Sequence, residues 1–401
     1  MLSKEDITRW KEIGLGHLEE VSKRLSRLKI AGMRVSKGRY EIILSLCVLG
    51  NIWLLHAIVY YNLQHLNQYQ NGTDIEDEGE YDLEKVTLKP GLDTLIGTKY
   101  VPITLHREYL MENKHLCTSV KNLTLIVTAY TAPANFDRRQ IMRGSWLNNS
   151  NYEGLGTTKV VWLLGRTSNA TLQKMIEEEF EQYGDILQGD FVDHYFNLTH
   201  KGAMGFKWVA ERCRNAKIVL KADDDMILNM KQLYTHILPK TILNQKRHLY
   251  CYRNPHSQIL RDKKLKWFIN ENEFRGDVIF PVYCEGPAVF MTNDIVPALV
   301  KSAKMLPFFW LEDVYLYGVV LQNVPGLTYT QFGRGVEYDL HGKRVIKCFR
   351  ETLTTCTFMI AACSNQTDMI EVWKYMQQQN AMYLPHLMER IFENMVLPPQ
   401  P

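Results

Sequence analysis

The sequence predicts an α/β fold with a mainly parallel sheet flanked by helices, preceded by one transmembrane helix and a stem. Short apolar runs typical of strands alternate with segments whose apolar residues recur at helical spacing. This alternation is typical of a parallel sheet that is covered on both faces. A separate apolar stretch near the N-terminus has the length of a membrane span. With 401 residues, the chain can hold one large domain or two smaller ones.

The N-terminal apolar stretch covers residues 42–61, a length of about 20 residues that suits a bilayer-spanning helix. Asn51 and His56 interrupt it, and a buried helix of a soluble domain is the alternative. Lysines and arginines precede the stretch, whereas acidic residues follow it from Asp74 onward. Because positive charge stays on the cytosolic side, we expect a type II membrane protein. Its expected parts are a cytosolic tail (1–39), a transmembrane signal-anchor (40–61), a lumenal stem (62–116) and a folded domain (117–401).

Glycosylation acceptors and cysteines are compatible with a lumenal body. The Asn-x-Ser/Thr acceptors are Asn71, Asn122, Asn148, Asn169, Asn197 and Asn365, and some would occur by chance in any chain of this length. Seven cysteines follow the predicted span, so at least one thiol is unpaired or pairs between chains. The formal net charge of +3 is too small to indicate a nucleic-acid partner. Self-association to a homo-oligomer is left open.

Periodicity places the elements of the folded domain. Strands are predicted at 123–128, 160–164, 217–221 and 278–283, the last one ended by Gly286-Pro287. Helices are predicted at 137–146, 171–183 with Gly184 as its stop, 206–213, 230–237 and from 373 to the end. Beyond His341 the pattern weakens.

The run Lys221-Ala222-Asp223-Asp224-Asp225 ends one of these strands and is the most informative part of the chain. Side chains alternate across a strand, so we expect Asp223 and Asp225 on one face and Asp224 on the other. Two carboxylates at the carboxyl end of a strand form an oxygen site suited to Mn²⁺ or Mg²⁺, at the edge where open α/β sheets bind nucleotides. The alternative is a solvated acidic turn that caps the next helix.

Glu312 and Asp313 form a second pair of acids, set between apolar residues. An apolar setting raises the pKa of a carboxyl group and makes it a better general base near neutral pH. The alternative is that both acids only stabilise the dipole of a helix that starts nearby. The aromatic run Phe308-Phe309-Trp310 precedes them and can supply a sugar platform, although three consecutive residues cannot all face one way.

Five ordered blocks within residues 117–325 together resemble the β1,3-galactosyltransferase and β1,3-N-acetylglucosaminyltransferase family of Golgi enzymes. The blocks are Arg139-Gln140-Ile141-Met142-Arg143-Gly144-Ser145-Trp146, Val161-Trp162-Leu163-Leu164-Gly165, the central signature from Tyr183 to Asp225, Gly286, and Leu311-Glu312-Asp313-Val314-Tyr315. Three departures stand near the acceptor side: Glu285, Ala288, and Tyr317, which adds one position before Gly318.

The resemblance implies a GT-A-type catalytic domain that uses a UDP-sugar and Mn²⁺ (or Mg²⁺) to form a β1,3 linkage with inversion. The expected sugar is a hexose or N-acetylhexosamine, with galactose favoured, and the acceptor is a glycan on a glycoprotein or glycolipid. The implied location is the Golgi membrane, with the catalytic domain in the lumen.

The resemblance also implies roles for single residues. Asp225 is the expected metal ligand, with Asp223 beside it, and Asp313 is favoured over Glu312 as the general base. The residues expected near the donor are Arg139, Arg143, Lys221, Asp223 and Asp224. For the two arginines an internal ion pair is the alternative, and for Lys221 a solvated position. His341 is a further candidate metal ligand, with a surface histidine as the alternative.

Two functions from other classes remain as alternatives. One is a catalytically silent lumenal protein with the same fold that binds glycans or partners. The other is a calcium-binding membrane protein, although the aspartate run lacks the spaced ligands of an EF-hand loop. Release of UDP in the presence of an acceptor would distinguish the enzyme from both.

Overall fold

The computed structural model describes residues 82–92, 105, 108–332, 338–339 and 342–396, with side chains described up to residue 382. These residues all belong to one compact unit that starts at Gly79. The predicted cytosolic tail (1–39), the transmembrane signal-anchor (40–61) and His341 lie outside the described residues. Within the described residues, no helix has both the length and the apolar character needed to cross a membrane.

Eight strands form the main sheet of the described body. In chain order they are β1 (Tyr109–Met111), β2 (Leu125–Tyr130), β3 (Thr158–Arg166), β4 (Ile186–Val192), β5 (Ile218–Asp223), β7 (His248–Asn254), β8 (Tyr283–Thr292) and β9 (Thr328–Gln331), while β6 (Met226–Leu228) belongs to a second sheet. Their spatial order is β1-β4-β3-β2-β5-β8-β7-β9. Strands β4, β3, β2 and β5 run parallel to one another. Four of the seven pairings, counting β7 with β9, are therefore parallel.

Strand β5 lies where the parallel part of the sheet ends. It pairs in parallel with β2 on one side and antiparallel with β8 on the other. The last residue of β5, Asp223, is the register partner of Tyr130 at the end of β2. The carboxyl end of a parallel strand at such a reversal of chain direction is a common place for ligand sites in open sheets.

Helices cover both faces of the sheet. They are α1 (Phe136–Gly144), α2 (Ala170–Tyr183), α3 (Leu198–Arg212), α4 (230–241), α5 (Val296–Met305), α6 (312–322), α7 (Lys343–Thr352) and α8 (Gln366–Val396). Alternate residues of β2 point to opposite sides: Leu125 and Val127 belong to one apolar core, and Ile126 belongs to the other. Helices α3, α5 and α6 pack on the Ile126 side, and α1, α2, α4, α7 and α8 pack on the Leu125 side. This confirms the predicted sheet with helices on both faces.

The C-terminal segment forms a small second sheet beside the aspartate run. Strand β10 (Tyr338–Asp339) pairs in parallel with β11 (Ile360–Ala362), and β11 pairs antiparallel with β6. Since β6 directly follows the aspartates, the late part of the chain closes over the turn that carries them. Helix α8 then packs against α1 and β6.

Two expectations differ from the structure. The strand predicted at 278–283 is wrong: β8 begins at Tyr283 and runs through Gly286-Pro287, which was expected to end it. Proline lacks the N–H that a central strand needs. Here the pairing of β7 with β8 shifts register between Cys251 and Arg253, across from this point, and the irregularity accommodates Pro287.

The second difference concerns the segment expected to be a stem, residues 62–116. In its described part, β1 joins the sheet by pairing with β4, and the side chains of Val86, Leu92 and Leu105 are buried in the core. Packing of the body therefore begins before residue 117.

Three disulfides cross-link the body, and they account for six of the seven cysteines that follow the predicted span. They join Cys117 to Cys213, Cys251 to Cys284, and Cys348 to Cys356. Cys363 is a buried free thiol. The odd cysteine count is thereby explained without a bond between chains.

Candidate active site

The aspartate run forms a tight turn between β5 and β6, with Asp223 as the last residue of β5. Asp223 and Asp225 are about one-third exposed, whereas Asp224 is buried. The expected division of the three side chains is thus observed, although only Asp223 is in the strand itself.

Asp224 holds the turn against the first helix. Its carboxylate accepts hydrogen bonds from Thr131 Oγ1 at 2.6 Å, Asn135 Nδ2 at 2.8 Å and Arg138 Nη1 at 3.0 Å. These contacts are internal. They fix the turn, so Asp224 does not face the UDP-sugar donor as the sequence predicted.

Arg138 is a site residue that the sequence reasoning missed. Its Nη1 atom lies 3.0 Å from Asp224 and 3.6 Å from Asp225, so one guanidinium contacts two of the three aspartates. Arg138 directly precedes the block that begins at Arg139, so the resemblance did not include it. Adjacent helical residues point about 100° apart, which means that Arg138 and Arg139 must serve different surroundings.

Arg139 and Arg143, both predicted to contact the donor, form an internal ion-pair network instead. Arg139 Nη2 lies 2.6 Å from Glu179, and Arg143 binds Glu179 at 2.6 Å and Asp185 at 2.7 Å. Arg139 is fully buried. The structure therefore shows the internal ion pair that the sequence left as the alternative, and this network ties α1 to α2.

Lys221 is buried behind the aspartates, not solvated. Its Nζ atom donates to Asp223 Oδ1 at 2.7 Å and to the carbonyl oxygen of Gly286, and it lies 4.5 Å above the ring of Tyr130. Burial opposes its charge, but the carboxylates of Asp223, Glu312 and Asp313 raise the pKa of Lys221 above its usual range. The ammonium group is thus a fixed positive charge inside the site.

Asp313 faces Gly286 across the site. The backbone N–H of Gly286 donates to Asp313 Oδ2 at 3.1 Å. A Cβ atom at position 286 would overlap the Asp313 carboxylate, with only 2.7 Å to its Cγ atom. Asp313 is partly exposed, so its carboxylate is oriented by the backbone yet open to a substrate.

Glu312 differs from its neighbour because it is buried. Burial raises the pKa of Glu312 well above its usual range; Lys221 opposes this, and the negative charges of Asp313 and Asp223 add to it. Within the described part of the chain its Oε1 atom has no hydrogen-bond partner. Glu312 therefore holds its proton more strongly than an ordinary carboxyl group, and its burial makes it less accessible to a substrate than Asp313.

The extra position supplied by Tyr317 is accommodated by a π-helical turn. Helix α6 consists of Glu312–Val314, a π segment Tyr315–Val319 and Val320–Gln322. A π turn adds one residue to a helix without ending it. Gly318 stays necessary, since a Cβ there would lie 2.8 Å from the Cβ of Tyr283.

The other two departures lie on β8. Asn254 Nδ2 donates to Glu285 Oε1 at 3.1 Å, and Ala288 is buried as the register partner of Ala222.

Asp223 and Asp225 suit a divalent cation only if a bound substrate supplies further oxygen ligands. Among the described residues, no group of three or more His, Cys, Asp or Glu side chains is arranged to hold a metal ion. Burial raises the pKa of Asp223 to about 7 against the pull of Lys221, and the nearby charges of Asp225 and Asp313 contribute. Crowded carboxylate oxygens of this kind suit Mn²⁺ or Mg²⁺, which commonly bind one or two carboxylates together with phosphate oxygens.

Comparison with known sequences places the chain in a family. The galactosyltransferase family matches residues 137–328. Beta-1,3-galactosyltransferase 1 of Homo sapiens is 32% identical over 225 residues, which cover 56% of this chain and 67% of that protein. Beta-1,3-galactosyltransferase 2 of Homo sapiens is 27% identical over 314 residues, covering 77% of this chain and 71% of that protein. This protein belongs to the galactosyltransferase family.

Solved structures show weaker likeness. A galactosyltransferase in complex with donor and acceptor sugar analogues has a TM-score of 0.33 and 10% identity, covering 62% of this chain and 95% of that one. A glycosyltransferase involved in glycosylation of the major capsid of PBCV-1 has a TM-score of 0.32 and 12% identity, covering 64% of this chain and 99% of that one.

Replacing Gly286 by alanine should displace the Asp313 carboxylate. We expect Gly286→Ala to lower the rate of sugar transfer at least about tenfold, which is about 1.4 kcal/mol of barrier. Gly144→Ala is the matched control, because a Cβ at position 144, at the end of α1, meets no atom within 4 Å. Equal activity of the two variants would show that the position of Asp313 does not matter.

The raised pKa of Glu312 predicts a pH-dependent effect on stability. Above its ordinary pKa of 4.5, an unfolded Glu312 loses its proton while the folded one keeps it, so the free energy of unfolding falls as pH rises. Glutamine does not ionise, so the Glu312→Gln variant does not lose stability in this way as pH rises. The Tm of the variant relative to the wild type should therefore increase between pH 4.5 and pH 7.5.

Glu179→Gln gives the control of opposite sign. Burial opposes ionisation of Glu179, but its bonds to Arg139 and Arg143 lower its pKa. Its loss should therefore destabilise the protein most above pH 4.5, where the wild-type ion pair is intact, by about 3 kcal/mol for an orphaned buried charge. The difference from the wild type should shrink as pH falls below 4.5 and the wild type loses the ion pair as well. A Tm difference for Glu312→Gln that does not change with pH would contradict a raised pKa.

Proposed function

We propose that this protein is an inverting glycosyltransferase that moves galactose, or another hexose or N-acetylhexosamine, from a UDP-sugar to the 3-hydroxyl of an acceptor glycan. The product linkage would be β1,3, and the acceptor glycan would belong to a glycoprotein or glycolipid. The observation that carries the proposal is that Gly286 holds Asp313 through its N–H and accepts from Lys221 through its carbonyl, while Lys221 also bonds the partly exposed Asp223 at the end of β5. Family membership and the likeness to beta-1,3-galactosyltransferases 1 and 2 support galactose as the sugar and β1,3 as the linkage.

Asp313 is the proposed general base. Inversion by direct displacement needs one base to take the proton of the attacking hydroxyl. The acceptor oxygen then forms a bond to the anomeric carbon, while the bond from that carbon to the diphosphate breaks and UDP leaves with the electron pair. Asp313 is accessible and hydrogen-bonded to a backbone N–H, so it can receive that proton in a defined position.

Lys221 and Glu312 support the base. The buried ammonium group of Lys221 offsets the negative charge of Asp223 and Asp313. Burial raises the pKa of Glu312, so this group ionises less readily than an ordinary carboxyl group next to Asp313. Both residues act on the position and charge of the base, without contact with the substrate.

Asp223 and Asp225 are the proposed ligands of Mn²⁺ or Mg²⁺, whose remaining ligands would include diphosphate oxygens of the donor. When bound, such a cation stabilises the negative charge that builds up on the leaving diphosphate. Arg138, beside Asp225, limits the movement of that carboxylate.

We place the protein in the Golgi membrane as a single-pass type II protein with its catalytic domain in the lumen. The charge asymmetry around residues 40–61 and three disulfides in the body support this, since disulfides persist in oxidising compartments. The catalytically silent alternative is disfavoured by the intact pair of Asp313 and Gly286.

Asp313→Asn should abolish transfer from UDP-galactose while UDP binding is retained. A general base typically contributes about 10²–10⁴-fold in rate, and the loss should be of that order. Glu312→Gln should cost much less, because it keeps a neutral hydrogen-bonding group. Transfer and UDP affinity would be measured for both variants with a panel of UDP-sugars and acceptor glycosides.

The same assay tests the metal ligands. Asp225→Asn keeps the shape of the side chain but removes its charge, so transfer should collapse. Wild-type activity should be lost in chelator and restored by Mn²⁺. Full transfer by Asp313→Asn, or full wild-type activity in chelator, would contradict the assigned roles.

The proposed topology predicts the outcome of protease treatment of sealed Golgi vesicles. The body after residue 62 should be protected until detergent is added, and glycosidase should increase its mobility on a gel. Digestion of the body in intact vesicles would mean that the orientation is reversed.

A further inference from the structure

Four aromatic side chains form an exposed cluster at the start of α3, which we name the aromatic platform: Tyr195, Phe196, Trp267 and Trp310. Tyr195 is 38% exposed, while Phe196 and Trp267 are each 48% exposed. Large aromatic side chains are usually withdrawn from water, and a concentration of them on a surface indicates a binding site.

The rings of the platform hold one another in place. Phe196 packs edge-on against Trp310, with 4.9 Å between ring centroids, and Tyr195 packs edge-on against Phe196 at 5.9 Å. Trp267 Nε1 donates to the hydroxyl oxygen of Tyr195 at 2.8 Å. Lys266 lies 4.5 Å above the Tyr195 ring. The rings are therefore oriented before any ligand arrives, which reduces the entropy cost of binding.

The platform adjoins the proposed reaction centre on the side of the base. Trp310 comes three residues before Asp313, and the preceding carbonyl of Phe309 accepts a hydrogen bond from Thr199 Oγ1 of α3 at 2.7 Å. The turn Tyr195–Asn197 leads directly into α3, so the start of α3 fixes Tyr195 and Phe196 to the loop that carries the base.

The same segment is also fixed to the aspartate turn. Lys201 of α3 is buried, and its Nζ atom donates to the carbonyl oxygen of Thr131 at 2.6 Å and lies 2.9 Å from Asp193. Thr131 in turn donates to Asp224. The start of α3 therefore connects the loop that carries Asp313 with the aspartate turn at the end of β5.

The run Phe308-Phe309-Trp310 contributes to the platform through one member only. Phe309 is buried among Phe274 and other core rings, and Phe308 stacks on His200 at 4.5 Å. Only Trp310 joins the exposed rings, and its partners come from distant parts of the chain.

We propose that the aromatic platform binds the acceptor glycan, with the apolar face of a sugar ring stacked on Phe196 and Trp267. This inference rests on the proposed function, because it assigns the acceptor to the side of Asp313. Sugar rings combine an apolar C–H face with a hydroxyl rim, and rigid aromatic side chains offer a large contact area for such a face. The platform would thereby determine which glycans present a 3-hydroxyl to the base.

The test compares Phe196→Ala and Trp267→Ala with the wild type, in full-length protein assayed with soluble methyl glycosides of galactose, N-acetylglucosamine and N-acetylgalactosamine. We expect the KM for the preferred glycoside to rise about tenfold or more in each variant. The KM for UDP-sugar and the slow hydrolysis of UDP-sugar by water should not change. Trp267→Phe should recover most of the acceptor affinity. Leu110→Ala is the control, because Leu110 is 51% exposed on the edge strand β1.

An unchanged acceptor KM in an active Phe196→Ala and an active Trp267→Ala would overturn the platform while leaving the proposed function intact. Loss of binding to phosphatidylcholine vesicles with an unchanged KM would overturn it in favour of a membrane contact. If the wild type transferred no sugar at all, the proposed function would fail, and tryptophan fluorescence would still decide the platform. If the glycosides quench the tryptophan fluorescence of the wild type but not that of Trp267→Phe, the platform is supported. If they do not quench the fluorescence of the wild type, the platform is overturned.

Discussion

Burial of the Lys221 ammonium among Asp223, Glu312 and Asp313 joins β5, β8 and α6 by charge as well as by packing. Without that cation, three acidic side chains would approach one another in a setting with little water, where like charges repel strongly. The bond from Lys221 to the carbonyl of Gly286 adds a geometric constraint, because the N–H of the same residue holds Asp313. A single residue of β8, Gly286, thus positions a positive charge through its carbonyl oxygen and a carboxylate through its N–H.

The surroundings of Gly286 leave little space for change at the site. Gly286 has no room for a side chain, and burial raises the pKa of Glu312 beside Asp313. Asp224 takes no part in the open site and uses its carboxylate to anchor the turn to α1. The site is therefore built from groups that are fixed before substrate binds, which is the condition under which electrostatic stabilisation of a transition state is most effective.

The sequence predicted strands β2, β3 and β5 and helices α1, α2 and α3 in their correct order, because apolar periodicity there follows burial directly. It predicted no strand at 186–192, where β4 lies. It failed at β8, where Gly286-Pro287 suggested a break and a local register shift in β7 accommodates the proline. The sequence also could not predict the environment of Lys221, because Glu312 and Asp313 lie about 90 residues further along the chain. Arg139 and Arg143 could be found as a pair on one helix face, but their partners on α2 and β4 depend on tertiary packing.

The C-terminal segment, which carries no recognisable motif and lies beyond the family match, contacts the turn that bears the aspartates. The N–H of Cys363 donates to the carbonyl oxygen of Asp225 at 2.8 Å, and β11 supplies the strand that pairs with β6. The disulfide between Cys348 and Cys356 lies just upstream. Shortened versions of the protein that end after the family match would keep every residue of the proposed chemistry and still lose the backbone support of Asp225. The part of the chain that supports the aspartate turn therefore extends beyond the recognisable family domain.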